Sequence, residues 1–264
     1  MGYRSSMTID LHEYEAGRKY DGHYKKDLKK LQKRLERIQV AHAMHKRPAI
    51  IALEGWDAAG KGGIIQRMTA EWDPRFYEVW PISAPTPPEL AHQFLWRFWK
   101  RLPEAGDIAV FDRTWYGRVL VERVEGFASE SDWRRGYDEI NAFEAQQIAN
   151  GTTVVKLFIH VTQAEQDRRL KARLEEPWKH WKTGLEDYRN RARRDDYLRA
   201  MHEMFARTDT KAAPWTVIDG NDKKSARIAA MSAVADALEA HVPMSPPPID
   251  PDVEKVAKKA LGLD

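Results

Sequence analysis

Apolar positions along the chain change their spacing in a regular alternation, and that alternation predicts the fold class. From Tyr24 to His45, Leu28, Leu31, Leu35, Ile38 and Ala41 recur at intervals of three and four, the period of an amphipathic helix. Pro48 forbids its continuation. Ala49-Ile50-Ile51-Ala52-Leu53 is then continuously apolar, as expected of a strand buried on both faces. A glycine-rich turn and a helical stretch to Trp72 follow. The alternation repeats as Phe76 to Ile82 and Glu89 to Leu102, then Ile108 to Phe111, a loop and a long helix ending near Asn150. Val154 to Ile159 precedes a basic helical region, and Trp215 to Ile218 precedes a helix to about Ala240. Strands separated by helices in this way predict an α/β fold, a parallel sheet of five strands covered on both faces. Ser129, with Asp132 three residues on, is the expected N-cap of the third covering helix, and Gly151 ends it.

The two ends lack this periodicity. Residues 1–23 are expected to form an N-terminal arm with a poorly ordered start, and residues 24–242 a single domain. Residues 243–264 open with Pro243-Met244-Ser245-Pro246-Pro247-Pro248, which reads as an extended tail with one short helix at Val253 to Leu261.

Composition narrows the function classes. Charged residues make up 31% of the 264 and no apolar run approaches the ~18 residues of a membrane span, so no membrane partner is expected and the cytoplasm is the expected location. There is no cysteine, which excludes disulfides and thiol catalysis. The net charge of +3 is too mild to argue for nucleic acid. Its distribution says more, because eleven Lys and Arg lie between Arg168 and Arg199. Such a run is either a solvated helix face or a surface for a polyanion.

The chemistry concentrates at three places. Gly55-Trp56-Asp57-Ala58-Ala59-Gly60-Lys61 is G-x-x-x-x-G-K between a strand and a helix, the context in which backbone amides cradle phosphates and the lysine reaches the terminal ones. Gly55, Ala58, Ala59, Gly60, Gly62 and Gly63 are the expected cradle. Gly62 stands where a hydroxyl residue usually binds Mg²⁺, while Asp57 adds a carboxylate where an ordinary loop needs none, so Asp57 reads as directed at a metal. Second, Ile108 to Phe111 delivers Asp112 at the strand end where open α/β sheets bind ligands, a second candidate metal carboxylate. Arg113 and Arg118 offer planar forks to phosphate, Arg123 is expected to pair with a neighbouring glutamate, and Trp115 could frame a base or a chain of phosphates. Third, Arg168, Arg169, Lys171 and Arg173, then Lys179 and Lys182 beyond the helix-breaking Pro177, suggest a basic helical lid over about residues 163–200.

These segments resemble the polyphosphate kinase 2 family. The resemblance rests on the loop from Gly55 to Gly63, on the run from Phe111-Asp112-Arg113-Thr114-Trp115-Tyr116-Gly117-Arg118 to Phe127, on the lid around Arg168 to Lys182, and on Arg207-Thr208-Asp209-Thr210 ahead of Ala213-Pro214-Trp215. It covers about residues 25 to 240. It implies a three-layer P-loop kinase sandwich with sheet order 2-3-1-4-5 and Mg²⁺ dependence, with Mn²⁺ as a substitute. It also implies phosphoryl transfer between inorganic polyphosphate and an adenine or guanine nucleotide, in a homo-oligomer. Asp57, Lys61, Asp112, Arg113 and Arg173 match the family's essential positions, and Gly62 its loop, which similarly lacks the hydroxyl. The wording from Trp115 to Glu122 looks closest to the AMP-using branch, ahead of the branches that use ADP or GDP. Two rivals remain at this level, an ATP-dependent nucleotide kinase and a nucleic-acid-binding NTPase or switch.

Overall fold

The computed structural model describes residues 9–263. Five strands form one parallel sheet: β1 (Ala49–Gly55), β2 (Tyr77–Pro81), β3 (Ile108–Asp112), β4 (Thr153–His160) and β5 (Trp215–Asp219), in the order β2-β3-β1-β4-β5. β1 lies at the centre, paired with β3 through Leu53 opposite Asp112 and with β4 through Gly55 opposite Ile159. Its first six residues and all eight of β4 are buried, which explains why these strands read as unbroken apolar runs. The register brings the ends of β1 and β3 level, so their following residues share one edge of the sheet.

The helices are α1 (Tyr24–Met44), α2 (Lys61–Met68), α3 (Pro87–Leu90), α4 (Trp96–Trp99), α5 (Val121–Val124), α6 (Glu130–Ala149), α7 (Gln163–Glu175), α8 (Leu185–Ala192), α9 (Arg194–Thr208), α10 (Lys223–Glu239) and α11 (Pro251–Leu261). α1, α2 and α10 pack together in one layer and α5, α6 and α9 in the other, with β4 touching both, a three-layer sandwich. Ser129 caps α6 by accepting from the Asp132 amide, and Gly151 follows its C-cap at φ +87°.

The expected helix from Glu89 to Leu102 is broken into α3 and α4. The Gln93 side chain accepts from the Leu95 amide (2.7 Å), and His92 stacks on Trp96 (4.0 Å), so side chains take over from the helical ladder between the two pieces. The arm also differs from expectation. Residues 1–8 lie outside those described, but Leu11 is buried in the core, the Gly17 amide donates to Asp219 (2.7 Å), and Ser225 donates to the Arg18 carbonyl (2.7 Å). One apolar anchor and a few polar contacts dock a segment that has no period to reveal it. The tail is extended and exposed from Met244, and α11 has no buried residue. Among the described residues, no helix is long and apolar enough to cross a membrane.

Candidate active site

The loop from Gly55 to Gly63 joins β1 to α2, and its backbone is unusual. Gly55 lies at φ +141°, and a Cβ there would collide with the Ile159 carbonyl, so β1 can stay paired with β4 at this point only with glycine. Ala58 adopts a left-handed φ of +61° despite its side chain, and Gly60 follows at +111°. Gly63 and Ile64 both donate to the Gly60 carbonyl (3.0 and 3.1 Å), which leaves the amides just before them outside the ladder of α2 and open to an anion. The Lys61 ammonium, only 8% exposed, donates to the carbonyls of Gly55 (2.8 Å) and Trp56 (3.1 Å). Arg169 braces the same turn from behind through the carbonyls of Ala58 (3.1 Å) and Ala59 (2.7 Å). This corrects the expectation that Arg169 lies on the lid surface: its guanidinium is buried and spent on the loop, on Glu165 and on the Gly220 carbonyl.

The two strand ends meet in a charged cluster. Arg113 follows β3 with a left-handed φ of +66°, while its amide extends the β1–β3 ladder to the Leu53 carbonyl (3.0 Å). That strained turn directs the guanidinium to Asp57 (2.7 Å). Asn190 of α8 donates to the other Asp57 oxygen (2.9 Å), and Gln166 donates to the Asp57 carbonyl (3.2 Å). Burial pushes the Asp57 carboxyl up, but Lys61, Arg113 and the bond from Asn190 outweigh it and hold it below the usual carboxylate range. Burial likewise works against the Arg113 cation, and Asp57, Asp112 and Glu54 more than offset it. Glu54 accepts from the amide and hydroxyl of Thr114 (2.7 and 2.8 Å), fixing the turn that carries Arg113; burial raises its pKa.

Asp112 is placed differently. Its carboxylate, at the end of β3 and half-buried, makes no hydrogen bond or ion pair among the described residues. Gly62 lies beside it, since a Cβ on Gly62 would stand 3.9 Å from Asp112 Oδ2. The position where other loops place a hydroxyl therefore faces a carboxylate with all its acceptor capacity available. No cluster of three or more acidic or histidine side chains forms among the described residues. A divalent ion would thus take Asp112, Asp57 directly or through water, and oxygens of a bound phosphate, a donor set suited to a hard cation such as Mg²⁺.

Beside this cluster opens a cavity of about 400 Å³, lined by Asp57 and Arg113 together with Ile82, Leu90, Phe94, Arg97, Arg118 and Glu122. Arg118 lies over the Phe94 ring (4.5 Å) and pairs with Glu122 (3.3 Å). Among the described residues, the buried Nε atoms of Arg97 and Arg118 have no hydrogen-bond partner, though Arg97 Nε lies 3.7 Å from Glu89. Trp115 borders the cavity but is 1% exposed, wedged against Phe98, Phe111 and Phe143, with its indole donating to Glu144 (3.0 Å). It is a core residue, which corrects the expectation that its face frames a ligand. Arg123 pairs with Glu203 (2.7 Å), a residue distant in sequence, rather than with a glutamate beside it.

The lid comprises α7, a 3₁₀ turn at Pro177–Lys182, and α8. Arg173 holds it together, donating to the Lys182 carbonyl (2.8 Å) and approaching Asp187 (3.4 Å). Lys171, Lys179 and Lys182 are exposed, as are Trp178 and Trp181 on the same turn. Arg168 is exposed and paired with Glu165 (2.6 Å). On the far side of the loop, a Cβ on Gly63 would lie 3.6 Å from Arg227 Nη2 and 3.7 Å from Arg67 Nη1. Lys223 belongs to this group: burial, then Arg169, Arg168 and Arg227, lowers its pKa. Sequence reasoning missed Arg67, Arg97, Asn190, Lys223 and Arg227. None sits in a motif, and each enters the site only through the packing of its helix.

Known proteins place this geometry. The family described as Polyphosphate kinase 2 (PPK2) matches residues 18–246. A polyphosphate:AMP phosphotransferase of Acinetobacter johnsonii is 49% identical over 232 residues, 87% of this chain and 48% of the relative. The chain thus spans about half the length of that protein. An ADP-polyphosphate phosphotransferase 3 of Rhizobium meliloti (strain 1021) is 36% identical over 89% of this chain and 81% of its own. The crystal structure of Polyphosphate Kinase 2 from Arthrobacter aurescens TC1 superposes with a TM-score of 0.85 at 34% identity, covering 98% of this chain and 94% of its own. With the loop, the β3 carboxylate and the lid in the same fold, this chain belongs to the polyphosphate kinase 2 family.

Proposed function

We propose that this chain transfers a phosphoryl group from inorganic polyphosphate to AMP, giving ADP, with Mg²⁺ as its cofactor and Mn²⁺ as a substitute. The observation that carries this reading is the division of the site by the glycine-rich loop. On the Asp57–Arg113 side lies a cavity of about 400 Å³ with mainly apolar walls, a volume in the range of small-molecule sites, where Arg97 and Arg118 each keep a buried Nε donor without a hydrogen bond among the described residues. It suits a nucleotide. On the Gly63 side Arg227, Arg67 and Lys223 crowd together, joined by Arg168, which suits a polyanion. The two substrates then meet over Lys61 and Arg113.

The acceptor phosphate is already ionised near neutral pH, so the site positions it and neutralises charge rather than removing a proton. Lys61 exchanges its loop carbonyls for phosphate oxygens, and Arg113 exchanges Asp57. A bound Mg²⁺ supplies charge neutralisation between the carboxylates and the phosphates. Closure of α8, which already touches Asp57 through Asn190, excludes water. AMP is favoured over ADP or GDP because relatives named polyphosphate:AMP phosphotransferase reach 44% to 50% identity, against 36% to 38% for those named ADP-, NDP- or GDP-polyphosphate phosphotransferase. A homo-oligomer in the cytoplasm, where both substrates are available, belongs with this reading, with no part for nucleic acid or membrane.

The test is product analysis with AMP, ADP, GMP and GDP, each offered with polyphosphate and Mg²⁺ and no other donor. ADP from AMP is the expected main product. Triphosphates alone would move the chain to the diphosphate-using branch, and transfer only from ATP would make it an ordinary nucleotide kinase.

A further inference from the structure

The arm reaches the phosphate loop through a buried histidine. Trp56, the second residue of the loop, is 3% exposed, and its indole N–H can only donate. It donates to His160 Nδ1 at 2.9 Å. His160 ends β4 and is fully buried, so with Nδ1 accepting, its proton lies on Nε2. That atom faces Glu15 Oε1 at 3.0 Å. Glu15 stands just after the 3₁₀ turn Leu11–Tyr14, three residues before the matched family segment begins at residue 18. Asn221 donates to the Tyr14 carbonyl (3.3 Å), which ties the same stretch of arm to the loop after β5.

We propose that Glu15 is a positioning residue for phosphoryl transfer, acting through His160 on Trp56 and so on the placement of Lys61. The geometry gives one tautomer that satisfies all three side chains. Glu15 accepts from Nε2–H, which frees Nδ1 to accept from the indole. The Trp56 carbonyl, on the same residue, is one of two oxygens that hold the Lys61 ammonium. The other face of the Trp56 ring meets Arg194 (3.9 Å), whose Nη1 bonds Gln166 (3.0 Å), the residue that donates to the Asp57 carbonyl. Without an acceptor at position 15, the imidazole has a buried N–H with no partner unless it shifts its proton to Nδ1. That shift puts two donors nose to nose and pushes Trp56 away. A doubly protonated His160 has the same consequence. Three charged groups besides the loop act on it, Glu15 from the arm, Arg194 from α9 and Asp219 from β5, and its burial disfavours the cation most.

This inference rests on the proposed reaction, so its test has one arm that needs no turnover. In Glu15→Ala, kcat with polyphosphate and AMP should fall about tenfold, with KM for AMP changed less than about twofold, because neither Glu15 nor His160 lines the nucleotide cavity. Glu15→Gln keeps an acceptor for Nε2–H and should recover kcat to within about twofold of wild type. In ¹⁵N-labelled protein without substrates, the imidazole nitrogens of His160 should report a proton on Nε2 in the wild type and in Glu15→Gln. The Trp56 indole resonance should move upfield in Glu15→Ala only. An unchanged indole and tautomer in Glu15→Ala would overturn the relay whatever the reaction is. Wild-type kcat in Glu15→Ala, or an equal loss in Glu15→Gln, would overturn its role in transfer. Absence of any transfer from polyphosphate by the wild type, with the spectroscopic changes intact, would instead overturn the proposed reaction and leave the relay standing.

Discussion

Two charged clusters share the Arg113-to-Arg118 turn, which gives Arg113 to one and Tyr116 to the other, and they are built from the same kinds of group for different ends. In the core, Lys156 of β4 is fully buried and donates to Glu144 of α6 (2.9 Å), to the Thr208 carbonyl (2.8 Å) and to the Tyr116 hydroxyl (3.0 Å). Glu144 also accepts from Trp115 and Tyr116, and burial raises the Tyr116 pKa well above the ordinary value. All three lysine protons have partners and none is left over. At the cleft, Arg113 bonds Asp57 and Lys61 bonds the loop, but the backbone beneath them is strained, Arg113 is 47% exposed, and Asp112 has no partner among the described residues. A closed network sets which element packs where. An open one has capacity left for a ligand.

If that contrast is right, damage to the two clusters should show up in different measurements. The largest effect is expected from Glu144→Ala, which strands a buried ammonium: unfolding by urea should show a loss of about 3–5 kcal/mol, while kcat of the remaining folded protein stays within about twofold. Equal losses of stability and kcat would dissolve the distinction. Asp57→Asn should do the reverse. Turnover should drop at least ~100-fold, near 3 kcal/mol of transition-state stabilisation, because the charge that holds Arg113, and that would hold a divalent ion, is gone. Its stability should change by less than about 1 kcal/mol, since the amide still accepts from Arg113. Nucleotide binding without Mg²⁺, measured by calorimetry, should survive.

Arg173→Ala should follow at roughly 30-fold in kcat, about 2 kcal/mol, because the bonds to Lys182 and Asp187 that hold the lid in one piece are lost. A variant within threefold of wild type would remove Arg173 from the mechanism. The smallest effect concerns pH. His42 is fully buried, and burial lowers its pKa from 6.5 despite hydrogen bonds to the Arg47 and Leu238 carbonyls; His160 is lowered in the same direction. The unfolded chain therefore takes up these protons first as pH falls. Stability from neutral His42 and His160 is present above 6.5 and is lost as pH drops below it towards the native values. The melting temperature should decline between about pH 7 and pH 5.5, and His42→Gln should flatten that slope. An unchanged slope would show that His42 does not titrate differently in the two states.

How much of this could be read along the chain varied with the kind of interaction. The strands were legible because burial on both faces leaves no polar position to interrupt them, as in Ile50 to Leu53. Asp57, Lys61, Asp112 and Arg113 could be placed near one edge of the sheet because each ends a strand or follows one at short range, where local chain geometry alone fixes the neighbourhood. The break at Ala91 to Leu95 was not, since it depends on what the Gln93 side chain chooses to bond. Nor was the docking of residues 9–18, which rests on a buried leucine, an acceptor contributed by β5 and a donor contributed by α10.

The sequence by itself determined the alternation of strand and helix, the glycine-rich loop and the carboxylate at the end of the third strand, because spacing and residue type act within a few positions of one another. Tertiary structure alone decided which partner each cation of the lid takes. Arg169 and Arg173 are four residues apart on one helix, yet one is buried against the Ala58 and Ala59 carbonyls and the other clips the lid. A charge is committed by whichever partner lies within about 3 Å of it, and across a folded chain that partner comes from sequence distances that no local pattern encodes.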